Sequence, residues 1–267
     1  MNYSRFRHCP LALILGSTIA IFAAGCTQSP EDHPGVGKSS VASPRSAPPC
    51  RLKAVASGFS AHTIAGSGVI EWAAVVENPC DRVAYGVRVG ASALDGRGKE
   101  IEAHGVFVGG GEDLPTLLSK QKLAVAGTID VEKDDPFTAD DVKSLKITTG
   151  GEEWADEPAW MTESEFTRLY PHWPRVHAVN VHLSARDEKG YVGLDFDLRA
   201  DTGRTTVLND PFGVVVLRDH EGKIISGTRI QLDADVYEHE QTGIWTPAAT
   251  DPSKTQIYVN QKASGLS

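Results

Sequence analysis

Val192-Gly-Leu-Asp-Phe-Asp-Leu-Arg-Ala200 puts an apolar residue at every second position, with glycine or a charged residue between. Successive side chains of an extended strand point to opposite faces. This spelling therefore buries Val192, Leu194, Phe196 and Leu198 and leaves Asp195, Asp197 and Arg199 in water. The same beat runs through Tyr85, Val87, Val89, Ala91 and Ala93, which alternate with Gly86, Arg88, Gly90 and Ser92. Leu123, Val125, Ile129 and Val131 keep it too. Strands with one buried and one wet face, broken by turn signals, predict an all-β chain of β-sandwich type.

The landmarks come twice in the same order. A strand containing Trp72 and Val76 ends at Asn78-Pro79, and the strand of Leu194 and Phe196 ends at Asp201-Thr202-Gly203. Each is followed by a second strand and a tight hairpin, Asp95-Gly-Arg-Gly-Lys99 in one half and Asp219-His-Glu-Gly-Lys223 in the other. Each half then carries an Asp-Pro pair (Asp135-Pro136, Asp251-Pro252) and a short closing strand (Leu145-Lys-Ile147, Gln256-Ile-Tyr-Val259). A tandem duplication is the economical reading, and 267 residues leave room for two domains of about 100 residues each.

Trp72-Ala-Ala-Val-Val-Glu-Asn-Pro79, then Gly86-Val-Arg-Val89 and Leu94-Asp-Gly-Arg-Gly-Lys99, resembles the FxLYD-like family of envelope domains. That resemblance implies immunoglobulin-like sandwiches. It covers part of the first half and is weaker in the second, which lacks the Asn-Pro turn. It speaks to fold, and fold alone does not assign activity.

At the N-terminus, Arg5 and Arg7 precede an apolar run from Leu11 to Ala24 that ends in Ala23-Ala24-Gly25-Cys26. The run is too short to span a bilayer, which takes roughly 20 apolar residues, and matches a signal-peptide core. Its end resembles a bacterial lipobox, with Ala23 where leucine is commonest. The resemblance implies cleavage between Gly25 and Cys26 and diacylation of the Cys26 thiol. Two chains are needed because each buried methylene contributes only about 0.8 kcal/mol and one chain binds reversibly. An uncut N-terminal helix and plain secretion are the competing readings; the second leaves Cys26 unexplained. The Ala-, Gly-, Val- and Asp-rich composition resembles that of actinobacterial lipoproteins.

Residues 27–49 are rich in Ser, Pro and Gly and poor in apolar side chains, too few to offset the entropy of ordering them. They read as a semi-extended tether. The expected organisation is a signal over 1–25, a tether over 26–49, a first sandwich over 50–152, a linker over 153–175 and a second sandwich over 176–267.

Four cysteines sort by position. Cys9 leaves with the signal, Cys26 takes the lipid, and Cys50 and Cys80 remain. An even remainder outside the cytoplasm reads as a disulfide; two separate buried thiols are the alternative. The formal charge of −9 becomes more negative once Arg5 and Arg7 are removed. That argues against nucleic acid, whose binding rests on cations neutralising phosphates. It argues equally against a polybasic contact with anionic lipid.

The linker holds Trp154, Trp160 and Trp173, three of five tryptophans. They either pack the junction between the halves or form an aromatic binding surface for a glycan or peptide. Thr162 and Glu165 spell a capping box for a short helix over 163–170, with Phe166, Leu169 and Tyr170 on one face.

Motifs for chemistry are missing. There is no Gly-x-Ser-x-Gly, since Ala65-Gly-Ser-Gly68 has the wrong spacing, and Gly109-Gly-Gly111 runs into Glu112-Asp113, which repel phosphate. His177 and His182, five apart in a strand, are expected on opposite faces and so unable to share a metal. The acidic runs at Asp134-Asp135, Asp140-Asp141 and Glu152-Glu153 lack an EF-hand pattern. No cofactor or metal is implied. The sequence therefore reads as a lipid-anchored, extracytoplasmic, non-catalytic protein. It would meet the bilayer through Cys26 and an envelope or extracellular protein or glycan through its folded part. The alternative is a small-molecule or metal-ion site in the cleft between the halves.

Overall fold

The alternation in residues 191–200 becomes a strand of a mostly β protein. The computed structural model describes residues 50–64, 67–103, 106–150, 155–201, 208–233 and 239–263. Gly25, Cys26, the signal, the tether, Trp154 and the Glu152-Glu153 pair lie outside the described residues.

In the first half, β1 (Lys53–Ile64), β2 (Ser67–Glu77) and β7 (Lys122–Val131) form one sheet in the order β1-β2-β7. A second sheet runs β6-β3-β8, from β3 (Arg82–Leu94), β6 (Gly109–Leu117) and β8 (Ser144–Thr148). Two short strands, β4 (Glu102–Ala103) and β5 (Val106–Phe107), pair beside it. From the linker, β9 (Ala159–Thr162) pairs with the start of β3. In the second half β10 (Val176–Leu183), β11 (Tyr191–Ala200) and β14 (Glu240–Trp245) form β10-β11-β14. The last sheet, β13-β12-β15, uses β12 (Phe212–Arg218), β13 (Ile224–Gln231) and β15 (Gln256–Asn260). The six principal strands of each half thus follow one another in the same order and pair into the same two sheet orders.

The hairpin sequences explain themselves in hydrogen bonds. Asp95 Oδ1 accepts from the backbone N–H of Arg97 (2.8 Å) and Lys99 (2.9 Å), while Gly98 turns the chain at φ 75°. Asp219 does the same with Glu221 (3.0 Å) and Lys223 (2.9 Å), around Gly222 at φ 86°. A third copy joins β10 to β11, where Asp187 accepts from Lys189 and Tyr191 around Gly190 at φ 94°. The glycine is required because a side chain at such φ is strained.

Asn78 anchors the turn after β2. It is fully buried, its amide donates to the carbonyls of Arg82, Leu117 and Leu118, and its oxygen accepts from the Cys80 N–H. Cys80 is bonded to Cys50, which pins the entry of β1 to this turn. Closing that loop is worth roughly 3 to 4 kcal/mol by chain entropy.

The expectation of one wet face fails for β2, β7 and β12, and in β3 for Gly90 and Ser92, which are buried with the apolar residues between which they alternate. Ile70, Trp72, Ala74 and Val76 of β2 pack with Val87, Val89, Ala91 and Leu114 in the first core. The residues between them, Ala73 and Val75, pack on the other side against Phe212, Val214, Val216 and Ile224. Val215 and Leu217 of β12 then face a further core with Leu194, Phe196 and Ile244. Two sheets, one from each half, are therefore interior layers. Small residues make this possible. A Cβ on Gly58 would lie 1.7 Å from the Ile224 carbonyl oxygen, and one on Gly227 would lie 2.5 Å from the Ala73 Cβ. Burying each valine or isoleucine here contributes about 1.5–3 kcal/mol relative to exposure, which favours the docked halves.

Buried polar contacts key the same interface. Asn260 Nδ2 donates to the Ala124 carbonyl at 3.0 Å, and the Ala263 N–H to Thr116 Oγ1 at 3.2 Å. Ser226 Oγ donates to Glu71 Oε2 at 3.1 Å; burial raises the Glu71 carboxyl above its ordinary pKa, and this bond offsets part of that.

Candidate binding cleft

The linker residues settle first. Helix α1 (Glu163–Leu169) forms with the capping box that Thr162 and Glu165 spell, and Thr162 Oγ1 accepts from the Glu165 N–H at 3.2 Å. Phe166 is buried and Tyr170 half-buried, but Leu169 is 53% exposed, so the apolar face is narrower than the sequence implies. About two turns of helix resting on β9 and β3 have only part of their circumference covered.

Trp160 and Trp173 do not share a surface. In β9, Trp160 opposes Ala84 and Met161 opposes Val83. Neighbouring strand residues face opposite ways. Trp160 thus packs on the first core, and Met161 points to a separate cluster of Val83, Leu118, Phe166 and Ala263. Trp173 lies against that second cluster, edge-on to Phe166 (5.2 Å) and Tyr170 (5.6 Å). Because Ala263 follows β15, Trp173 does sit beside a contact between the halves, whereas Trp160 sits beside Cys50, Arg51 and Glu157 in a separate hollow. The principal junction is the sheet-to-sheet contact, which involves neither.

The histidines also move. A bulge between Val179 and His182, with Asn180 at φ 54°, shifts the register of β10. His177 then opposes Arg199 and His182 opposes Asp195, positions four apart on one face of β11. The two imidazoles are consequently on the same outer face, which corrects the expectation of opposite faces. His239 joins that face, with Nδ1 3.6 Å from Asp197 and Nε2 3.9 Å from Asp195. Among the described residues no three such groups converge closely enough to hold a metal ion.

The residues that do converge were not conspicuous in the sequence. A cleft of about 270 Å³ opens between the halves. The first half contributes Arg88 of β3 and Asp113 of β6, the linker Asp156, and the second half Asp210, Phe212, Arg229 and Lys262. Arg229 is held with its guanidinium carbon 3.9 Å from the centre of the Phe212 ring, a cation–π contact. Arg88 donates to the Gly111 carbonyl at 3.4 Å. The backbone N–H of Lys262 donates to the Asn209 carbonyl at 2.9 Å, which sets Lys262 beside the turn carrying Asp210. Asp210 itself lies at φ 43°, a left-handed conformation that Asp and Asn adopt more readily than other non-glycine residues.

Charge of both signs surrounds this space. Among the described residues, none of Arg88, Asp113, Asp156, Asp210, Arg229 and Lys262 forms an ion pair. Next to them, Glu112 has its pKa raised by burial; Arg229 opposes the rise, Asp113 adds to it and Arg88 opposes it. Such a site can orient a polar ligand through charges of both signs around a small apolar floor of Val87, Phe212 and Ala263. In sequence, Arg88 and Arg229 are merely the exposed alternates of two strands. Only docking of the halves makes them neighbours. Compared with known proteins, the chain matches no family model and no curated relative.

Proposed function

We propose that this chain is a membrane-anchored extracytoplasmic lipoprotein, held by an acylated Cys26, with a non-catalytic binding or structural role in the cell envelope. Two tandem immunoglobulin-like sandwiches, of the kind the FxLYD-like resemblance implies, form its working part. The signal ending in Ala23-Ala24-Gly25-Cys26, the Pro- and Ser-rich stretch after it and the Cys50–Cys80 bridge support the address. The repeated sheet orders, β1-β2-β7 with β6-β3-β8 and β10-β11-β14 with β13-β12-β15, support the tandem architecture. The observation that carries a binding role is the face-to-face docking of the halves, which holds surfaces from both in one fixed arrangement.

Detergent-phase partitioning of the full-length chain tests the anchor. The wild type is expected in the detergent phase and Cys26→Ala in the aqueous phase. Equal partitioning of the two would overturn the reading.

The mixed-charge cleft favours a second reading, in which the fixed body binds a small molecule between its halves. Interfaces between domains are common places for such sites. A ligand that binds there raises the melting temperature with its concentration.

A further inference from the structure

The cleft between the halves carries cations and carboxylates in equal number, Arg88, Arg229 and Lys262 against Asp113, Asp156 and Asp210. An anion entering it is drawn by three groups and repelled by three, and so is a cation. A ligand with one charge of each sign, separated by a short uncharged body, is complementary to both sets. The six do not neutralise one another by ion pairing among the described residues, so their charges remain available. Two of the cations are placed by contacts within the protein. Phe212 stacks under Arg229 at 3.9 Å, and the Asn209–Lys262 backbone pair fixes the tail beside Asp210. The apolar floor is small, and about 270 Å³ suits a body of a few carbons rather than a sugar chain or a folded partner.

We propose that this cleft binds a zwitterion of dipeptide size, with its carboxylate among the cations Arg88, Arg229 and Lys262 and its ammonium among Asp113, Asp156 and Asp210. The proposal rests on the second reading above, that the cleft is a small-molecule site.

The test is calorimetric titration of the full-length chain with alanyl-leucine, its N-acetyl derivative and its C-terminal amide. A sugar and a nucleotide serve as further probes in melting experiments. Free alanyl-leucine is expected to bind, and capping either terminus to weaken it about tenfold or more, the loss of one charge-assisted contact. Lys262→Gln, on an exposed residue, should weaken the free dipeptide and leave the C-terminal amide unaffected. Asp210→Asn, which asparagine's tolerance of positive φ makes benign for folding, should likewise weaken the free dipeptide and leave the N-acetyl form unaffected. A substitution acting only on structure would weaken all forms alike, and that outcome overturns the proposal. Equal binding of capped and free dipeptides, or a response to the sugar or nucleotide alone, overturns it while leaving the cleft reading standing. No response to any probe overturns both.

Discussion

His62 of the first half and Trp245 of the second lie ring on ring, with centroids 3.9 Å apart and planes 21° from parallel. Neither ring nitrogen of His62 has a hydrogen-bond partner, and burial holds its pKa below the ordinary 6.5. The imidazole is therefore a neutral aromatic joining the halves outside the sheet interface, beside a hollow that also holds Glu132, Lys133 and Asp135.

A pH dependence follows from that stack. Below pH 6.5 the unfolded chain takes up a proton at His62 that the folded chain resists. Stability is thus at its full level above 6.5 and falls as the pH drops toward the lower folded value. His62→Phe keeps an aromatic ring without the titration. Melting temperatures measured from pH 7.5 to 5 should fall more steeply for the wild type than for the variant; parallel curves would exclude the effect.

Gly58 sets the distance between the interior sheets. Gly58→Ala drives a methyl group into the Ile224 carbonyl and is expected to cost about 2 kcal/mol or more in denaturant unfolding. Gly98→Ala is the contrast: its φ of 75° penalises alanine by about 1 kcal/mol, but no neighbouring atom is in the way. If the two variants are equally stable, the sheets are not packed this closely.

Asn78→Ala removes three donated bonds and one accepted bond at a fully buried turn. Leaving the Leu117 and Leu118 carbonyls without this partner is expected to cost about 3 kcal/mol, read by urea denaturation. A loss below about 1 kcal/mol would mean that water replaces the side chain.

Much of this architecture is legible in the chain, and the parts that are not share a cause. The period of two in β11, the Asp-x-x-Gly hairpins and the Thr162–Glu165 cap are written locally, and the Cys50–Cys80 bridge follows from the cysteine count. Burial of β2 and β7 on both faces is not, because Ala73, Ala124 and Ala126 are small enough to suit either water or a close sheet. The bulge at Asn180 reversed the facing of His182 relative to His177, since one unpaired position inverts every later side chain. The charged cleft was invisible for a further reason. Arg88, Asp210 and Arg229 look like ordinary solvated residues until the two halves dock.

Removing the bridge tests the oxidising address from the stability side. Cys50→Ser with Cys80→Ser should lower stability by roughly 3 kcal/mol, and adding reductant should do the same to the wild type while leaving the double variant unchanged. A wild type indifferent to reductant would show that the bond contributes nothing.

The intact mass of the mature protein from its native host bears most directly on the central claim. A chain beginning at Cys26 and heavier by two or more acyl groups is the predicted result, with both features lost in Cys26→Ala. A mature chain of unmodified mass, released into the medium, would contradict the account.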